Sequence, residues 1–377
     1  MSSTRIPDKI KQVLFGRAAG RCEYRGCNRL LSEDHLTRRQ GKFGVFAHIV
    51  ADEPGGPRGD VVLSKRLSKD IDNVMLLCLE HHRLVDVDDV EGHSVEVLRR
   101  FKTEHEQRVR DLTEIQGEHR TVVVVMGANI GGRKGVVSRA EVLEAVHPRY
   151  PTAESVEIDM TRLFVSDGDP LVWQVGVREI EGRAAQLQDL LIRVGVAHIS
   201  VFALAPIPLL MVLGRALGDI VAGEPHQRRR DPPGWTWLPP TGEEQEFVVR
   251  ERGQAGDGTA VALMISVSGE IDFERVLSVT SPGTSAIELR VPEPMTDIVR
   301  TQSQVRAFRR AVRRALAEVV RRFGSGATVH VFPALPNSLA VAFGQALLPK
   351  VDPRIVVYDR NSDRGGWVQA LELVPGT

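Results

Sequence analysis

Three cysteines and one histidine fall in two close pairs, Cys22-x4-Cys27 and Cys78-x2-His81. Tetrahedral Zn(II) takes such sulfur and nitrogen donors, and close spacing within a pair lets one short turn wrap the ion. The set uses every cysteine of the chain, which reads as a structural zinc site. The plainer alternatives are a chance cysteine pair and a Cys78 simply buried in the apolar run VMLLCL. An odd count of three also argues against a secreted disulfide framework.

His82 follows His81 directly, and upstream lie Asn73 and the segment FAHIV with His48. The order His48, Asn73, His82, with the histidine doublet after a cysteine knuckle, is the HNH pattern of ββα-metal nucleases. Phosphodiester hydrolysis needs a base for water, a divalent ion on the phosphate and a group that holds the base in place. A neutral imidazole at His48 suits the first role near pH 7. His82 suits ligation of Mg(II) or a similar ion, and Asn73 suits orientation of His48 or its strand. Many such sites carry an acid just before the first histidine; here that position is Ala47. An acidic ligand would then come from Asp52, Asp70, Asp72 or Asp86, of which Asp72 and Asp86 are carried forward as candidate ligands, or the ion is held with more water. The bland alternative is a zinc ribbon with incidental histidines.

The charge is uneven although the net is zero. Residues 1–70 hold 14 Lys and Arg against 8 Asp and Glu, whereas residues 71–120 hold 7 against 12. Arg25, Arg29, Arg38, Arg39, Lys42, Arg58, Lys65, Arg66 and Lys69 would supply salt-sensitive, sequence-independent phosphate contacts. Aromatic residues are sparse among them, which favours double-stranded DNA over stacked single strands. No apolar run approaches the roughly 20 residues of a membrane span. The start MSSTRIPDKIKQ lacks the apolar core of a signal peptide, so a soluble cytoplasmic protein is expected.

The elements that must position these residues divide by texture. A helix over residues 6–20, a loop-rich stretch to 72 and a short strand before His81 make an α+β domain over 1–93. Residues 94–120 read as an amphipathic helical linker, with Val97, Leu98, Phe101, Val109 and Leu112 near helical spacing. At TVVVVMG the pattern turns to buried strands alternating with helices, an α/β domain over 121–377. Within it, VFALAPIPLLMVLGRAL (201–217) matches VFPALPNSLAVAFGQAL (331–347) without a gap, and the same offset pairs Trp237 with Trp367. Two fused domain-sized halves, about 121–240 and 241–377, are expected. The arginine-rich helix at 306–323 carries apolar residues at helical spacing, so its arginines read as a solvated face or an oligomer contact.

In open α/β sheets ligands sit beyond the carboxyl ends of the strands. The loops there place Arg133 and Lys134 (in ANIGGRKG), Pro206, and Pro336, Asn337 and Ser338 as candidate ligand residues. Trp237 and Trp367 would either stack on bases or sit in the core. A two-half pocket suits a pseudo-symmetric cyclic nucleotide.

With these motifs in place (FAHIVADEPGGPRG, DNVMLLCLEHHRLVD and the duplicated region), the chain resembles the HNH-SAVED effector nucleases of bacterial cyclic-oligonucleotide anti-phage signalling systems (CBASS). The resemblance implies a SAVED domain of two fused CARF-type, Rossmann-like halves that binds a cyclic di- or oligonucleotide. It also implies ligand-induced homo-oligomerisation and degradation of double-stranded DNA without strong sequence preference. Two other functions compete on the residues alone: a constitutive or modification-dependent restriction nuclease, and a non-catalytic zinc-bearing nucleotide sensor.

Overall fold

A computed structural model describes residues 5–113, 119–162, 169–218, 222–239, 242, 245–252, 259–348, 350–361 and 366–373. The chain forms two compact units, Met1–Gln116 and Gly117–Thr377. The division of the second unit at 240/241 lies outside the described residues.

The first unit runs α1 (Asp8–Arg17), β1 (Gly44–His48), α2 (Leu63–Leu67), β2 (Val74–Cys78), α3 (Leu79–Arg83) and α4 (Val95–Thr113). β1 and β2 form an antiparallel hairpin in which Gly44 pairs Cys78 and His48 pairs Val74. All five β2 residues are buried, and with Leu14, Leu31, Ile49, Val85 and Leu98 they make one small core. Here the structure departs from the expected linker. α4 belongs to this unit: Leu98 enters its core, and His105 Nε2 lies 3.0 Å from the Ala18 carbonyl at the end of α1. Lys102, His105 and Glu106 are themselves buried, with Lys102 donating to Glu106 at 2.5 Å.

The second unit comprises β3 (Arg120–Gly127), β4 (Asn129–Ile130), β5 (Arg133–Lys134), α5 (Arg139–Ala145), β6 (Tyr150–Asp159), α6 (Leu171–Val194), β7 (His198–Leu204), α7 (Ile207–Leu217), β8 (Ala222–Pro225), β9 (Arg229–Arg230) and β10 (Pro233–Gly234). It continues with β11 (Val248–Arg252), β12 (Ala260–Ser266), α8 (Phe273–Leu277), β13 (Ser285–Arg290), α9 (Gln302–Phe323), β14 (Thr328–Ala334), α10 (Asn337–Gln345), β15 (Arg354–Asn361) and β16 (Gly366–Leu373). One sheet has the order β6-β3-β7-β8 and the other β11-β13-β12-β14-β15-β16. The inner four strands of the second repeat the order of the first, and both sets are parallel. β11 and β16 are antiparallel additions at the two edges.

The sequence repeat corresponds to a symmetric crossing of α7 and α10. A Cβ added to Gly214 would lie 1.9 Å from the Val341 carbonyl oxygen, and one added to Gly344 would lie 2.0 Å from that of Met211. Both contacts obey the same sequence offset, so the two glycines allow the helices to touch backbone to backbone about a pseudo-two-fold axis. One continuous core, including Leu209, Leu263, Phe308 and Leu339, spans both halves.

Candidate nuclease site, cysteine cluster and ligand crevice

The β1–β2 hairpin and α3 carry the three expected catalytic residues; Asn73 is tied to the chain just after His48 through Val50, and Arg58 ties that same segment to Asp86 beside His82. His48 is the last residue of β1 and is 9% exposed. Its Nε2 stands 2.9 Å from the Ser68 carbonyl oxygen. A carbonyl only accepts, so Nε2 carries the proton and Nδ1 keeps the lone pair a base requires. Asn73, one residue before β2, is buried. Its Oδ1 accepts from the Val50 amide at 2.9 Å, and its Nδ2 donates to the carbonyls of Val50 (2.9 Å) and Leu67 (3.2 Å). Asn73 therefore fixes the chain just after His48 and just before the Ser68 carbonyl that orients it.

His82 lies on α3, which passes into a π-helical turn, Leu84–Asp88. This winding sets Asp86 Oδ2 3.2 Å from His82 Nε2. Burial alone would raise the Asp86 carboxyl, but hydrogen bonds from His82 and Arg58 outweigh it and hold the group below the usual carboxylate range. Adjacent ligands about 2.1 Å from one octahedral ion stand about 3 Å apart. The His82–Asp86 pair thus fits two sites on a divalent ion, with water in the remaining positions.

Asp72 does not join them. It sits in the 3-10 turn Ile71–Asn73 with its side chain largely exposed, bonded to Arg17 at 3.2 Å. Asp70 caps the same turn by accepting from the Asp72 amide. Ala47 is packed in the core, 4% exposed, and offers nothing to an ion.

Arg58, expected as a phosphate contact, is instead a buried brace. Its side chain is 6% exposed. Nε donates to the Ile49 carbonyl at 2.8 Å, Nη1 to that of Val85 at 2.6 Å, and Nη2 to the Asp86 carboxylate. One side chain so ties the loop after His48 to the turn that carries Asp86. No sequence signal marks it, and its backbone adopts an uncommon positive φ of 57°. Replacing Arg58 with Gln is expected to lower the melting temperature of the first unit by removing a buried, charge-assisted network worth several kcal/mol. A thermal melt that matched the unmodified protein would contradict the brace.

Cys22, Cys27, Cys78 and His81 do converge: their ligand atoms lie within 4.8 Å of one another, the one such group of three or more donors among the described residues. His81 Nδ1 is 3.1 Å from Cys78 Sγ and 3.7 Å from Cys22 Sγ. Tetrahedral Zn(II) with its usual bond lengths separates such ligands by about 3.5–3.8 Å, so the donor set fits this ion. The Cys78 amide donates to Cys22 Sγ (3.3 Å) and the His81 amide to Cys78 Sγ (3.4 Å). Burial lowers the His81 pKa and pushes the Cys22 thiol well up. Burial thus favours the neutral forms of His81 and Cys22. Tyr24 stacks on the His81 ring at 4.0 Å and places its hydroxyl 3.0 Å from His93 Nε2, a support shell that the spacing of the cysteines does not reveal.

In the second unit, the loops after β7 and β14 meet. Pro206 and Pro336 are the N-caps of α7 and α10, and Asn337 Nδ2 donates to the Ala203 carbonyl at 3.3 Å. Arg133 and Lys134 lie exposed on the hairpin beside them, whose base hydrogen-bonds through Ala128 to the Leu204 carbonyl. Lys134 also lines a cavity of about 420 Å³ together with Arg139, Thr161 and Arg162. Ser338 is buried, and both its amide and hydroxyl bond to Gln227 Oε1, so its hydroxyl is already engaged. Trp367 meets Phe332 edge-on at 5.5 Å and Trp237 packs on the main core; both rings are partly buried. The α9 arginines serve mainly their own unit, with Arg313 bonded to Asp352 and Arg322 to Glu251.

Trp237 also stacks on His226, which lies 4.3 Å from the Phe202 ring. Burial pushes the His226 pKa down to about 4. A histidine depressed when folded contributes full stability above its unfolded value near 6.5, and loses it as pH falls toward 4. The expected loss in the second unit is about 3 kcal/mol over that window, read as a falling tryptophan-detected melting temperature. His226→Phe should flatten the fall, and an equally steep fall in that variant would contradict the assignment.

A family model described as "SMODS-associated and fused to various effectors sensor domain" (SAVED) matches residues 181–373, about half of the chain. Solved structures of the Acinetobacter baumannii Cap4 SAVED/CARF-domain containing receptor are similar at 13% identity. The one with the cyclic trinucleotide 2'3'3'-cAAA has a TM-score of 0.43 over 73% of this chain and 55% of that one. The one with 3'3'3'-cAAA has 0.44 over 84% and 71%. The Moraxella osloensis receptor gives 0.39 at 11% identity over 84% and 70%. This chain thus spans about half the length of the first of these receptors. No curated protein sequence matches. The paired α/β halves and the matched residues together make the chain a member of the SAVED sensor-domain family.

Proposed function

We propose that the chain is a cyclic-oligonucleotide-activated, metal-dependent endonuclease of double-stranded DNA that acts in anti-phage defence. The observation that carries the reading is the chain of contacts linking Asn73 and, through Arg58, Asp86 and His82 to the segment after His48, in a chain that also holds a SAVED sensor. His48 Nδ1 takes the proton of the attacking water, while Ser68 and Asn73 keep the ring in its tautomer and place. His82 and Asp86 would hold the divalent ion, which when bound polarises the phosphate and stabilises the departing 3′ oxygen. Cys22, Cys27, Cys78 and His81 would hold Zn(II), which fixes α3 against the hairpin.

The sensor loops around Pro206 and Pro336 are the proposed seat of the messenger, because two helix N-termini and two related loops suit a pseudo-symmetric anion. A cyclic trinucleotide, the ligand named for the Acinetobacter receptors, is the first to test. Binding is proposed to drive homo-oligomerisation, which would set several nuclease units on one duplex. A binding titration followed by light scattering checks this half of the reading. Saturable binding of a cyclic di- or trinucleotide with a rise in mass is expected; a chain that bound none and kept its mass would overturn it.

One observation favours a second reading. With Ala47 in the core and Arg58 on Asp86, the protein supplies few anionic ligands, as would suit a zinc-bearing sensor without catalysis. Intact plasmid under every metal and messenger combination would favour that reading.

A further inference from the structure

A second charged crevice lies at the opposite ends of the strands from the messenger loops. It encloses about 240 Å³ and is lined by Arg149, His198, Glu224, Gln302, Arg306 and Arg309, among others. His198 opens β7 and Glu224 lies in β8, whose Ala222 pairs with His198. Arg149 directly precedes β6, while Arg306 and Arg309 come from the first turns of α9 in the other half. Both halves of the duplicated unit therefore send cations into one space.

Half of the described arginines of this unit pair with nearby carboxylates, among them Arg228, Arg250, Arg290, Arg313 and Arg354. Among the described residues, Arg149, Arg306 and Arg309 have no such ion pair; Arg306 donates to Gln302 Oε1 at 2.8 Å. The one carboxylate lining the crevice, Glu224, stands 3.6 Å from His198 Nε2. His198 is 6% exposed, and its Nε2 faces the crevice with the Glu224 carboxylate as its nearest acceptor, beyond ordinary hydrogen-bond length. Its Nδ1 lies 2.9 Å from the Thr121 hydroxyl, which can donate to it and leave Nε2 as a donor facing the crevice. Three guanidinium groups against one carboxylate leave a positive surplus between low-dielectric walls, where potential is focused. Guanidinium forks match the oxygens of a phosphoryl group.

We propose that this crevice binds a small phosphoryl anion, either free phosphate or the phosphate of a mononucleotide, at a site separate from the messenger loops. Calorimetric titration of the full chain with inorganic phosphate and with AMP, at constant ionic strength in chloride, tests it. Saturable binding is expected, weakened at least tenfold by Arg149→Gln and by Arg309→Gln, and unchanged by Arg310→Gln, an exposed neighbour on α9. Tighter binding of AMP would identify a nucleotide as the source, and equal binding would identify free phosphate. Arg309→Lys, which keeps the charge but loses the fork, guards against misfolding and should bind at an intermediate strength with an unchanged melting curve. Absence of saturable binding, or glutamine variants that bind as the unmodified chain does, would overturn the site.

Discussion

His48→Ala is expected to lower messenger-stimulated cleavage of plasmid DNA by about 10²- to 10⁴-fold, the usual worth of a positioned general base. The fold should survive. The variant removes one hydrogen bond, to the Ser68 carbonyl, which contributes about 1 kcal/mol. The contrast with Asn73→Ala is informative, because Asn73 makes three bonds that hold two backbone segments. That change should depress both melting temperature and activity, whereas His48→Ala depresses activity alone. Supercoiled, nicked and linear plasmid resolved over time on a gel read the rate. Undiminished cleavage by His48→Ala would remove His48 from the chemistry.

Cys22→Ser, or exhaustive chelation, is expected to unfold the first unit and leave the second intact. Structural zinc in small domains contributes on the order of 10 kcal/mol of folding free energy, more than the first unit's modest core would replace. Elemental analysis should find one zinc per chain, falling below about a tenth of that in the variant. The molecule provides its own control, since all four tryptophans lie beyond residue 116. Tryptophan emission should hold steady while the helical circular dichroism of α1 and α4 is lost. A metal-free chain that kept that signal would show the cysteines to be ordinary packing residues.

Much of this is legible in residue type and spacing. The cysteine pairs specify a cluster because two short turns and one strand can bring such pairs together in few ways. The repeat is legible because Gly214 and Gly344 sit where two helices touch, a place that tolerates no side chain, and because Pro206 and Pro336 cap both helices. α4 reads as a linker for a physical reason. Beside Leu98 its buried residues are Lys102, His105 and Glu106, types that read as solvent-facing until Lys102 is seen bonded to Glu106 and His105 to the Ala18 carbonyl. Arg58 reads as a phosphate contact because its type predicts a surface cation, and only the fold shows three acceptors converging on it. Asp86 can be shortlisted by its distance from His82, but choosing it over Asp72 requires the π-helical turn. Ser338 illustrates the converse: a suitable type on a suitable loop, already committed to Gln227.

Gated nuclease activity is tested by the rate of plasmid cleavage by the full chain with Mg(II), measured across a panel of cyclic di- and trinucleotides and without any. Plasmid should stay intact in the absence of messenger, and double-stranded DNA should be degraded with at least one member of the panel. Cleavage at the same rate with and without every messenger would contradict gating by the SAVED unit, and intact plasmid throughout would contradict the nuclease itself.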